Sequence, residues 1–96
     1  MKIPKTVKFL GIEYKVGLVE KLDHEDNWGR TSYKYNTIDI EEKLPKDKIE
    51  QTFIHELLHI AFNATGLDWD RKKEEKYVRA WADSVYGILK ENNLFK

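Results

Sequence analysis

Apolar and polar residues alternate along the first part of the chain. Val7, Phe9, Ile12, Tyr14, Val16 and Leu18 carry the apolar side, broken at Gly11, and this period of two predicts a hairpin of two strands. The segment from Asp23 to Gly29 is polar and acidic and reads as a loop leading into Arg30 to Tyr35. Thr37 to Glu41 alternates again, which predicts a further strand with one buried face. The period then changes to that of a helix. Pro45 stands where a helix begins, Asp47 and Glu50 fall in its first turns, and Ile49, Phe53, Leu57, Ile60 and Ala64 form its apolar stripe before Gly66 stops it. A second helix is expected from about Asp70 to Glu91, with Asp68 or Asp70 as N-cap and Val78, Trp81, Val85, Ile88 and Leu89 on its buried side. The expected fold is α+β, a small N-terminal antiparallel sheet followed by two packed helices, in one domain spanning residues 1–96.

Length and charge narrow the functional classes. Ninety-six residues support one modest core. Seventeen basic residues balance seventeen acidic ones, so no global field draws the chain to nucleic acid or to an anionic membrane. It has no cysteine, which leaves any metal to histidine and carboxylate ligands. The N-terminus lacks the apolar run of a signal peptide, and no stretch approaches a membrane span. A cytoplasmic location is the expectation.

The chemistry is concentrated in His55-Glu56-Leu57-Leu58-His59, an H-E-x-x-H pattern inside an apolar, helix-compatible run. Histidines four apart on a helix share a face, so their ring nitrogens can converge on one ion, for which zinc is best suited. Glu56, beside the metal, is placed to act as general base toward an activated water. Catalytic zinc usually holds three protein ligands. Phe62 and Thr65 stand where an extended motif would place Gly and a third His, and His24 lies in a polar loop. An acidic residue of the second helix is the better candidate. Glu75, Arg79 and Tyr86 lie within about 40° of one another on that helix, with Asp83 at the edge of the stripe and Glu74 turned further away.

The order of β-rich start, T-F-I-H-E-L-L-H-I-A helix, short loop and Glu75-x-x-Val78-Arg79-x-Trp81-Ala82 resembles the IrrE/ImmA-type metallopeptidases of bacteria and their phages, and also the minigluzincins. The similarity runs from about Trp28 to Leu89. The resemblance implies a gluzincin in which His55, His59 and Glu75 bind Zn2+ and Glu56 is the catalytic base. Arg79 departs from the small amide of the family pattern. Asp83-Ser84-Val85-Tyr86-Gly87 partly resembles the ligand segment of aspzincins, although Ala80-Trp81 replaces the Gly-Thr that should precede it, so Asp83 is an alternative third ligand or a partner that orients a ligand histidine.

These readings converge on a small zinc metallopeptidase acting on a peptide or protein substrate, with Tyr86 and Arg79 as candidate donors to the oxyanion. The strand Thr37 to Glu41 is a candidate edge for docking an extended peptide. A rival reading is a zinc-stapled regulatory or binding module, or a latent protease with Leu94 and Phe95 in its cleft. Trp28, Trp69 and Trp81 are expected in core or rim packing.

Overall fold

The computed structural model describes residues 2–20, 22, 28–66 and 70–94. His24, Asp68, Trp69 and Phe95, each given a place in the sequence reading, lie outside the described residues. Four strands, β1 (Thr6–Phe9), β2 (Ile12–Val19), β3 (Gly29–Ser32) and β4 (Thr37–Glu41), precede two helices, α1 (Lys46–Ala64) and α2 (Arg71–Glu91). The α+β architecture is therefore that expected from the change of period along the sequence.

The first hairpin closes at Leu10 and Gly11, whose φ angles of 51° and 81° are both positive, as a two-residue turn between twisted strands requires. Phe9 then faces Ile12 and Val7 faces Tyr14 across the antiparallel pair. Sheet order is β1-β2-β4-β3. One pair departs from an all-antiparallel sheet: β2 and β4 run parallel, with Val16 opposite Ile38 and Leu18 opposite Ile40. The cause is β3, which forms an antiparallel hairpin with β4 and occupies its outer side. Thr37–Glu41 is consequently an interior strand, which corrects its assignment as an edge. The edge next to the helices is β3.

Tyr14, Ile38 and Ile40 point into a core completed by Phe53, Ile54 and Ile60 of α1 and Ala82 of α2. α1 packs against β3, β4 and α2, so it is covered on more than one side and buries Thr52, Ile54, Glu56 and Phe62 as well as Phe53 and Ile60 of its apolar stripe, while Ile49 and Leu57 are partly buried. Its last residue, Ala64, is exposed. Pro45 starts α1 through its carbonyl, which accepts from Lys48 and Ile49. Asp70 caps α2 by accepting from the Lys73 amide at 2.9 Å, satisfying a donor that the helix itself cannot.

α2 is less covered than its sequence suggests. Val78 and Ala82 are its buried residues, and Tyr86 and Leu89 pack partly against the core. Trp81, Val85 and Ile88, expected on the buried side, are exposed, because among the described residues α2 packs on α1 and not on the sheet. Trp81 rests against the Phe62 ring, centroid to centroid 5.5 Å. No helix among the described residues is long and apolar enough to cross a membrane.

Candidate metal centre

Four-residue spacing on α1 turns His55 and His59 to one side of the helix, facing the N-terminal half of α2, while Glu56 turns toward β3. The antiparallel return of the chain after Gly66, whose φ of +73° ends the first helix run, brings Glu75 over the two imidazoles. His55 Nε2 lies 3.0 Å from Glu75 Oε1, His59 Nε2 lies 3.1 Å from Glu75 Oε2, and the two Nε2 atoms are 3.2 Å apart. Ligand atoms about 2.0–2.1 Å from one tetrahedral zinc ion stand roughly 3.3 Å from each other. Two imidazole nitrogens and one carboxylate at that mutual spacing are a donor set that fits zinc, and these three residues form the one such cluster found among the described residues.

Glu74 also reaches the site. Its Oε2 is 3.4 Å from His59 Nδ1, on the side of the ring away from the cluster. The expectation that Glu74 turns away is thereby corrected: Glu74 and Glu75 straddle the line along which α2 faces α1, and their side chains approach opposite nitrogens of His59. A carboxylate on that side of the ring favours a proton at Nδ1 over one at Nε2, the nitrogen that faces the cluster.

Glu56 is 7 % exposed and accepts a 2.7 Å hydrogen bond from the Thr31 hydroxyl of β3. Burial pushes its carboxyl above the usual range, against the lowering effects of the Thr31 hydrogen bond and the two imidazoles, with the Glu75 charge adding to the rise. A carboxylate made more basic by its surroundings is suited to taking a proton from water near neutral pH. β3 comes this close because Gly29 has no side chain; a Cβ there would lie 2.5 Å from Thr52 Cγ2 and 3.3 Å from Glu56 Cγ.

The histidines, Glu56 and Glu75 line a cleft of about 660 Å³ bounded by β3, α1 and α2. Tyr33, just past β3, also lines it. Burial, followed by the charges of Glu74, Tyr14 and Glu56, pushes the Tyr33 phenol up to about 12, so it stays protonated and able to donate at neutral pH.

The three further residues singled out on α2 fall differently. Arg79 lines the cleft, with Nη2 4.0 Å from Glu75 Oε1. Asp83 reaches the rim and accepts from Gln51 Nε2 at 2.6 Å; the contact to a ligand histidine expected of it is made by Glu74, about two and a half turns earlier on the helix. Tyr86 is not among the residues lining the cleft. Its hydroxyl donates at 2.9 Å to Glu50, a carboxylate 1 % exposed that drew the phenol inward, which corrects its place as an oxyanion donor. Thr31, Tyr33 and Glu74 escaped the sequence reading. Only Glu74 had a signal there, as the neighbour of an expected ligand.

Comparison of the chain with protein-family models, with curated proteins and with solved structures finds no match.

Proposed function

We propose that this chain is a zinc-dependent metallopeptidase in which His55, His59 and Glu75 hold the metal and Glu56 is the general base. The observation that carries the reading is the convergence of the three ligand side chains within one cleft, with Glu56 on the same helix as the two histidines, buried and oriented by Thr31. Zinc, when bound, supplies Lewis acidity to a substrate carbonyl and lowers the pKa of a coordinated water to about 7.

The protein's own groups divide the remaining work. Glu56 takes a proton from the attacking water at one of its carboxylate oxygens and delivers it to the departing amine. Thr31 fixes the rotamer of Glu56, and Glu74 fixes the ring of His59. Tyr33, which lines the cleft, donates its phenol proton toward an oxyanion. β3 offers an edge beside the cleft along which an extended substrate can pair by backbone hydrogen bonds. A cleft of about 660 Å³, within the usual range for small-ligand sites, favours this reading over a purely structural metal.

The test is reconstitution. Metal-stripped protein should take up one zinc per chain and thereby gain hydrolysis of an internally quenched peptide library. Uptake of zinc without cleavage of any member would contradict the peptidase reading, and absence of uptake would remove its basis.

A further inference from the structure

Arg71, Glu75, Arg79 and Asp83 follow one another at four-residue spacing on α2, and all four line the cleft. Their charges alternate along the helix. Among the described residues, the cleft is bounded by four acids, Glu56, Glu74, Glu75 and Asp83, and four bases, Arg30, Lys48, Arg71 and Arg79. A bound divalent cation turns that balance positive.

The acids are also the groups already engaged. Glu75 faces both histidines, Glu74 lies at His59, Glu56 accepts from Thr31, and Asp83 accepts from Gln51. Of the bases, Arg30 lies 3.5 Å from Asp39 and Lys48 sits over the Trp28 ring at 5.6 Å. Arg71 has no ion-pair partner among the described residues, and Arg79, with a side chain 73 % exposed, has only the 4.0 Å approach to Glu75, whose charge a metal would take up.

We infer that the cleft selects extended peptides carrying carboxylate side chains on both sides of the scissile bond, with Arg71 and Arg79 as the residues that read them. The two arginines are eight positions apart, about 12 Å along the helix axis, and Glu75 lies midway. An extended chain covers that distance in about four residues, and side chains four apart point to the same face. A peptide whose scissile carbonyl sits beside Glu75 therefore presents one acidic side chain to each arginine. This inference rests on the metallopeptidase reading for its metal and its central position.

The experiment uses the full chain carrying Glu56→Gln and loaded with zinc, so that peptides bind without being cut. Two fluorescent heptapeptides, identical except for Glu or Lys at both their second and sixth positions, are compared by anisotropy at low salt. The Glu peptide should bind roughly tenfold more tightly, and the difference should shrink as salt rises. Adding Arg71→Glu and Arg79→Glu should move the preference to the Lys peptide with one zinc still bound per chain. If the double reversal fails to fold, Arg71→Gln and Arg79→Gln singly should each weaken the preference several-fold. Equal binding of the two peptides, or a preference unchanged in folded arginine variants, would overturn the inference. Preference for the Glu peptide without hydrolysis by the wild-type chain would leave the specificity standing and remove the peptidase reading. Equal cleavage of both peptides would do the reverse.

Discussion

Replacing Gly29 by alanine tests how the general base is held. The added Cβ would fall 2.5 Å from Thr52 Cγ2 and 3.3 Å from Glu56 Cγ, whereas carbon atoms in contact normally stand about 3.5–4.0 Å apart. Thr52 is 6 % exposed and β-branched on a helix, so it has little freedom to turn aside. β3 must then retreat by about 1 Å, enough to stretch the 2.7 Å Thr31–Glu56 hydrogen bond past useful range. Overpacking of this kind costs about 1–3 kcal/mol, and a hydrogen bond to a charged group contributes about 1.5–3 kcal/mol. The two effects share one displacement and do not add fully, so a loss of about 2–4 kcal/mol is expected. Urea unfolding measures it directly. Gly87→Ala provides the control: a Cβ at that position in α2 meets nothing within 4 Å, so it should stabilise by about 0.5–1 kcal/mol. Gly29→Ala with wild-type stability and wild-type hydrolysis would refute the close approach of β3 as the device that positions Glu56.

The zinc dissociation constant separates the roles of the α2 acids: Glu75→Gln should weaken binding most, Glu74→Gln about 10–100-fold, and Asp83→Asn little, by competition with a chromogenic chelator. Glu50 gives a pH prediction. Burial would raise its carboxyl, but hydrogen bonds, those from Lys90 and Tyr86 among them, outweigh it and hold it at about 2. A carboxyl depressed from its ordinary 4.5 contributes stability that is present above that pH and lost as pH falls toward about 2. Lys90→Met removes the ion pair at 2.9 Å whose lysine is 51 % exposed; it should cost about 1–2 kcal/mol at pH 7, and the deficit in urea unfolding should shrink steadily between pH 4.5 and 2.

The elements were legible where local pattern and tertiary environment agree. The first hairpin, the start of α1 at Pro45 and the Asp70 cap all follow from residues acting on their own backbone. Pairing was less so, because nothing in the alternation of Thr37 to Glu41 distinguishes an edge strand from one that β3 covers on its far side. The stripe on α2 was read too broadly for a similar reason: Trp81, Val85 and Ile88 have core composition, yet α1 covers only the narrower line through Val78 and Ala82. At the site, the two histidines and Glu56 were legible because their spacing is a helix property. Thr31 and Tyr33 were not, since they stand 25 and 23 positions before Glu56 in the sequence, and a threonine or tyrosine near a strand end carries no local mark of that role. Tyr86 lay on the expected face, and the demand of buried Glu50 for a donor decided its position.

The assignment of Glu56 is tested most directly by measuring zinc content and peptide hydrolysis together in the wild-type chain and in Glu56→Gln. The variant should retain one zinc per chain and lose hydrolysis by at least about 10²-fold, the usual contribution of a general base. Hydrolysis that survives with zinc bound would contradict the role given to Glu56, and zinc lost together with activity would mean that Glu56 serves the metal and not the proton.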